Sequence, residues 1–499
     1  MNLRSVLALV FALPTLASAA ASSTDRASAV ERGLLPPVVT ERTKPMRIDD
    51  RLRHYRVAGV SVAVVDDGRL AWARAWGHSN SAQRVPMTAV TLLQSGSIAK
   101  PVAALGALKL VDQGRLALDT DVNHWLHTWR LPASPWTVER PVTVRGLLSH
   151  DAGLTVGGFG GYLPGAALPT LAQVLDGTPP ANSPPVRVDK APGSGWRYSG
   201  GGYVLLQQLM DDVTGEPFAA WMQREVLRPS GMESSLYGAL PDAPATRVAA
   251  GHQNGRPIAG LRQIYPEQTA AGMLTTPTDL ARLTLQLQAA LAGQDQAVIR
   301  PATAAQAMSV QSRGQGMTMG LGFFLEGGDG QAGFGHNGSN AGFESIWRAD
   351  RRRAVIVMAN ANGAGPLMDE IARAVAQAHG WADWQAPRVA WRELAAAYDR
   401  EPLFLRGTMN EWGVNTPLRA VGAARFAVVL NLPAGATEFK FASEDWRTVN
   451  LGADFAGGSG RLENAGRNLK LAVATPGRYR FELDARNPEA PRYSVKRLP

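Results

Sequence analysis

The chain has 499 residues, a formal net charge of +9 and no cysteine. That length allows two or three domains and a large core, and the missing cysteine excludes disulfides, thiolate metal ligands and cysteine nucleophiles together. The arginines behind the charge are scattered rather than run together, so no nucleic-acid footprint is read from them.

The first residues read as an export leader. Arg4 is a short basic region, Val6 to Leu16 is apolar, and Ala17-Ser18-Ala19 is a small-residue cleavage pattern. A leader over 1–19 predicts a periplasmic or secreted chain. The apolar stretch is too short to span a bilayer comfortably, and no later stretch is long enough either, so no stable membrane anchor is expected. Residues 20–45 are polar and small, and are expected to form a flexible lead-in.

Regular structure is predicted from Met46, with a short helix to Tyr55. Val57–Val65 and Arg69–Trp76 alternate around Asp66-Asp67-Gly68 and predict a hairpin. The next stretch carries the chemistry. Ser97 is followed three residues later by Lys100, and Val102, Leu105, Leu108 and Val111 continue with helical spacing. Ser97 is therefore placed at a helix N-terminus, with Lys100 one turn on and on the same side. A serine hydroxyl needs a base within hydrogen-bond reach to act as a nucleophile. A lysine made neutral by burial is such a base, whereas arginine does not deprotonate. Lysine occurs at only seven positions of this arginine-rich chain, which makes Lys100 stand out.

Val142–Leu154 predicts a short helix and a glycine turn, with His150 shaping the turn. Thr178–Ser194 is rich in Pro, Asn and Gly and predicts a long loop. Tyr203–Val213, stopped by Gly215, and Phe218–Leu227 predict helices. Ala270–Leu274 reads as a turn, and Thr278 or Asp279 as the cap of a helix to Leu291. Met319–Leu325, Gly333–His336, Phe343–Arg348 and Ala354–Asn360 read as strands of one antiparallel sheet, closed by a helix over Leu367–His379. Helices in the middle and strands at both ends predict an α+β fold: an antiparallel sheet flanked by helices, with an inserted, mostly helical subdomain. A helical connector is expected over 385–401. From 402 to 499 only short strands and turns follow, the size of one all-β sandwich.

Three motifs now line up: Ser97-Ile98-Ala99-Lys100, Tyr198-Ser199-Gly200 and His336-Asn337-Gly338. With Leu148–Leu154 and Ala271–Leu280, they resemble the serine β-lactamase and penicillin-binding-protein superfamily, in its class C-like branch of esterases and D-peptidases. The resemblance covers roughly Met46 to His379, within an expected hydrolase domain over 46–384. It implies that Ser97 is acylated, that Lys100 and Tyr198 share the acid–base work, and that the backbone N–H groups of Ser97 and Ser339 form the oxyanion hole. Gly338 would let the strand backbone approach the substrate. His336 would bind a substrate carboxylate when charged, or polarise the Tyr198 hydroxyl when neutral. No metal or other cofactor is implied. Gly200 stands where the family usually has Asn, which turns the expectation toward an ester or D-peptide rather than a β-lactam.

His124 and His127 lack a third ligand in a recognisable pattern, so no zinc site is read there. Phe404–Trp412 and Leu430–Ala442, followed by Trp446, resemble early-set sandwich modules of the glycogen-binding kind. There Trp412 and Trp446 would either stack on sugars or fill the core. Three functional readings stay open: a serine hydrolase of small-molecule or peptide acyl substrates, a weak β-lactamase or DD-carboxypeptidase, and a glycan-binding protein with a vestigial hydrolase domain.

Overall fold

The computed structural model describes residues 23–36, 38–39, 43–240, 242–295, 297–314, 316–326, 333–384, 389–390, 398, 400–446, 448–453, 460–464, 466–487 and 490–499. The leader over 1–19 and most of the connector over 385–401 lie outside them.

The first described element departs from expectation. The lead-in over 20–45 includes a helix, α1 (Ser23–Arg32). Ala27 and Val30, three apart on one face, are fully buried and join the core behind the main sheet. Val38–Val39 then pairs in parallel with Val389–Ala390, so the connector expected to be helical contains a strand. α2 (Ile48–Tyr55) and the hairpin of β1 (Gly59–Asp66) and β2 (Arg69–Asn80) follow as read.

Between the hairpin and the later strands lies the helical insertion. Its long helices are α3 (Ala99–Asp112), α4 (Gly200–Thr214) and α5 (Pro277–Leu291). α4 starts three residues earlier than its apolar pattern, because the Ser199 hydroxyl accepts from the Gly202 N–H and caps it. α5 is capped by Thr276, not by Thr278 or Asp279, with Pro277 as first helical residue. The Asp279 carboxylate instead accepts from Ser234 N, Ser235 Oγ and Arg282 Nη1. The turn expected at Ala270–Leu274 is a short helix, Gln268–Ala271, leading into a strand, Met273–Thr275.

The chain then returns to the sheet through β3 (Ser312–Gly314), β4 (Met317–Met319), β5 (Phe324–Glu326), β6 (Gly333–Asn340), β7 (Phe343–Ala349) and β8 (Ala354–Ala359). The strand read over Met319–Leu325 is thus two strands, turned back by a hydrogen bond from Gly320 N to Phe323 O. The order is β3-β4-β5-β6-β7-β8-β1-β2, extended by Val85–Pro86, and every pairing is antiparallel. N- and C-terminal strands therefore meet where β8 pairs with β1.

Period-two alternation divides the sheet between two cores. Val60, Val62, Val64, Val355 and Val357 face α1, α2 and α6 (Gly365–His379). Ala63, Trp347, Ile356 and Met358 face the helical insertion. Behind the sheet, Glu370 of α6 is fully buried. It accepts from Arg51 Nε at 2.7 Å, Arg51 Nη2 at 2.6 Å and Tyr55 Oη at 2.6 Å.

Among its described residues, the last part of the chain is strand and turn apart from one 3₁₀ turn. β9 (Leu403–Gly407), β12 (Gly435–Ser443), β13 (Asn450–Ala453), β14 (Leu462–Asn464) and β15 (Leu469–Val473) form one sheet. β10 (Arg419–Gly422), β11 (Arg425–Leu432), β16 (Gly477–Asp484) and β17 (Arg492–Arg497) form the other. One cluster containing Leu405, Phe439, Phe441, Phe426, Phe481 and Leu483 joins their inner faces. Trp412 is outside that cluster. It sits half-buried beside Trp446, ring centroids 6.1 Å apart, with the Arg406 guanidinium 3.9 Å from the Trp446 ring. His54 Nε2 and Glu463 Oε1, 3.0 Å apart, bind this region to the helix α2. Among the described residues no helix is long and apolar enough to cross a membrane.

The Glu370 network yields a stability prediction. Glu370→Ala leaves a buried guanidinium without its partner and should cost about 3–5 kcal/mol in denaturant unfolding. A loss below 1 kcal/mol (~) would show that water or another group satisfies Arg51.

Candidate active site

The site is built around a turn. Ser95 ends the short strand Leu93–Gln94, Gly96–Ile98 forms one 3₁₀ turn, and α3 starts at Ala99. Gly96 has φ +55°, and a Cβ there would strike Ser339 N, so only glycine fits. Gly338 makes a second close approach, because a Cβ there would collide with the Ser95 carbonyl oxygen. That carbonyl also accepts from Ser345 Oγ at 2.8 Å. Gly338 thus brings β6 against the turn that carries the serine, rather than simply opening space for substrate.

Lys100 Nζ lies 3.1 Å from Ser97 Oγ and donates to the Ala270 carbonyl at 2.8 Å. Lys100 is 2% exposed, and burial pushes it down to about 7. Ala270 is held in place by α4: the neighbouring Thr269 donates its hydroxyl to Tyr203 O, and its N–H to Gln207 Oε1.

Tyr198 completes the group. Lys100 Nζ is 4.9 Å from its ring centroid. Burial raises the phenol well above its ordinary value, more than the neighbouring Ser97 lowers it, so it is protonated at neutral pH. His150 does more than shape a turn. It has φ +58°; its carbonyl accepts from Arg197 N at 2.8 Å and its Nδ1 accepts from Ser199 N at 3.1 Å. The residues on both sides of Tyr198 are thereby fixed to one histidine, whose ring lies 4.3 Å from the phenol ring. Burial, aided by Lys100 and His336, holds His150 well below its usual range, so it is neutral.

His336 is 3% exposed. Burial, then the nearby Lys100, pushes it down to about 3. It is neutral in the free site. Nδ1 lies 2.6 Å from the Asn337 carbonyl and so carries the proton. Phe324 of β5 packs beside both rings, 4.6 Å from His336 and 6.5 Å from Tyr198, which are themselves 6.1 Å apart.

The structure therefore brings Ser97, Lys100, Tyr198, His336, Gly338 and Ser339 together. Past Gly335 no described strand pairs with the β5 side of β6, so residues 336–340 present an open edge beside the serine. Gly200 opens α4, where a Cβ would press on Gly157 O and Phe159, about 3 Å (3.0 and 3.1) away. A side-chain amide has no ready space, and the polar partners of Lys100 are Ser97 and Ala270. Sequence reasoning missed the clamping role of His150, the bond from Ser345 and the brace from Thr269. His150 was the most accessible of these, since it stands in a recognised stretch. His124 stacks edge-on against Trp125 at 4.7 Å, and among the described residues no group of three His, Asp or Glu is placed to hold a metal.

The close approach at Gly338 can be tested. Gly338→Ala should push β6 from Ser95 and lower ester turnover by about 100-fold, the scale of a lost oxyanion donor, with an unchanged far-ultraviolet circular dichroism spectrum. Near-normal turnover would mean that this contact does not set the site.

The profile of the family described as Beta-lactamase matches residues 46–380. The esterase EstB of Burkholderia gladioli is 32% identical over 244 residues, which is 46% of this chain and 60% of the esterase. Penicillin-binding protein 4* of Bacillus subtilis is 26% identical over 180 residues, 36% of this chain and 38% of that protein. The chain thus matches 60% or less of the length of these two relatives. The solved octameric penicillin-binding protein homologue from Pyrococcus abyssi superposes with a TM-score of 0.60 at 20% identity, over 90% of this chain and 98% of that one. This last likeness is one of fold alone. With the family profile spanning the whole sheet and its helical insertion, the chain belongs to the beta-lactamase family.

Proposed function

We propose that this chain is an exported serine hydrolase that cleaves an ester or amide bond through an acyl-enzyme on Ser97. The observation that carries the reading is a buried amine, pushed down to about 7, 3.1 Å from the serine oxygen. Neutral Lys100 takes the Ser97 proton as Oγ attacks the substrate carbonyl carbon. The backbone N–H groups of Ser97 and Ser339 receive the oxyanion. Tyr198, kept protonated, passes its proton to the leaving oxygen or nitrogen and is recharged from Lys100. Water then attacks the acyl carbon, and the same groups run in reverse to release the acid. Neutral His336 holds its ring beside this relay. The relative named as an esterase, together with Phe159 crowding Gly200, favours an ester or peptide over a β-lactam. Export rests on the leader pattern over residues 1–19.

Ser97→Ala should abolish p-nitrophenyl ester turnover and remove the mass adduct left by a fluorophosphonate. An adduct surviving in that variant would place the nucleophile elsewhere. The pH dependence follows from the lysine. Only its neutral form is a base, so kcat/KM should rise as pH climbs through about 7 and then level off. His336, pushed down to about 3, adds no inflection above pH 5 (roughly). A profile falling across neutral pH would overturn the assignment of Lys100 as base.

A glycan is a second partner for the C-terminal sheets. The half-buried Trp412 and Trp446, side by side and outside the core, support it. Trp412→Ala should then abolish retention by soluble polysaccharide in affinity electrophoresis, and unaltered retention would exclude these rings as the platform.

A further inference from the structure

Folding gathers charge that the sequence scatters. In β16, Tyr479, Phe481 and Leu483 enter the core, so Arg478, Arg480, Glu482 and Asp484 point away from it. β17 pairs with β16, placing Lys496 opposite Arg480 and Arg492 opposite Asp484. On the other side, β11 sets Arg425 opposite Asp484. β10 adds Arg419, opposite Ala427. The outer face of this four-stranded sheet thus holds six cations, Arg419, Arg425, Arg478, Arg480, Arg492 and Lys496, against the two carboxylates of Glu482 and Asp484.

Both carboxylates are already engaged. Glu482 pairs with Arg425 and Arg480, and Asp484 with Arg486 at 2.6 Å. Arg419, Arg478, Arg492 and Lys496 are exposed, and among the described residues none of them has a carboxylate within ion-pair distance. The face ends in a cleft of about 560 Å³ lined by Arg461, Asp484, Arg486, Asn487, Ala490 and Arg492. Three guanidinium groups meet there with one carboxylate.

We propose that this face is a docking surface for a linear polyanion with a phosphate backbone, one anionic group of which enters the cleft at Arg461, Arg486 and Arg492. The chemistry fits in three ways. Guanidinium forks match phosphate oxygens. Cations about 5 Å apart across strands and about 7 Å apart along them match successive charges of an extended chain. The outward positions of β11, β16 and β17 carry no aromatic ring on which a base could stack. A lipid surface fits less well, because the large exposed apolar groups in these four strands are only Val421 and Val429. This inference is independent of the hydrolase reading.

The test uses the full chain and a fluorescent long-chain polyphosphate, followed by polarisation at 50 and 200 mM salt (about). Binding is expected at the lower salt, weakening on the order of 100-fold at the higher, as about four released counterions require. The triple variant Arg478→Ser, Arg492→Ser, Lys496→Ser should lose at least tenfold (~) in affinity while ester turnover stays unchanged. A control triple, Arg69→Ser, Arg228→Ser, Arg256→Ser, should bind like the parent. The proposal is overturned by absent binding at low salt, by equal losses in the two triples, or by anionic phosphatidylglycerol vesicles binding where polyphosphate does not.

Discussion

An ammonium group is expensive to bury, and this fold buries one. Lys100 lies in the centre of the helical insertion with aromatic rings of Tyr198 and Tyr203 within 6 Å (4.9 and 5.8 Å to the centroids). Burial alone accounts for its shift toward neutrality. The unfolded chain would bind that proton more strongly than the folded one between about 7 and the ordinary value of 10.5. The folded state therefore gains stability as pH rises through that window and carries a penalty below it. The penalty is the counterpart of reactivity: the low affinity for a proton is what makes the amine a base at neutral pH. The two neutral imidazoles, His150 and His336, belong to the same arrangement. Either one charged would sit in a dry site beside the relay, and burial prevents it.

How much of this was legible in the residues differs by element. The hairpin, α3, the Gly215 stop and the closing helix follow from local period and punctuation, which tertiary contacts here reinforce. α1 was not legible, because its two buried residues are an alanine and a valine in a polar stretch. The Met319–Leu325 break was missed because two glycines in an apolar run read equally as strand or turn. The Thr276 cap lost to Thr278 and Asp279 in the reading because all three are capping types. Asp279 is occupied by long-range partners that spacing cannot reveal.

The site itself was legible as a set of types but not as a geometry. Helical spacing connects Ser97 with Lys100, but Tyr198 and His336 stand far from them in sequence, and only the family likeness connected those two. Burial also shifts one group: His336, an imidazole that would ordinarily titrate near neutrality, is held neutral in the free site. The cationic sheet face is the converse case. Arg478 and Arg480 of β16 look like dispersed composition until antiparallel pairing sets them on one face with Arg425 of β11 and Arg492 and Lys496 of β17.

Segments without regular structure are tied to the strand before Ser97 and to the turn after β6. The Tyr162 backbone bridges to Ile264, Gln94 Nε2 donates to Gln263 O, and Tyr265 Oη receives Ala341 N. These loops are fastened at their ends, while Lys100 and His336 stand on helix and strand and Tyr198 on the irregular segment leading into α4. Under the proposed hydrolase reading, loops away from Tyr198 could be rewritten residue by residue to admit new compounds, with Ser97, Lys100 and His336 left in place.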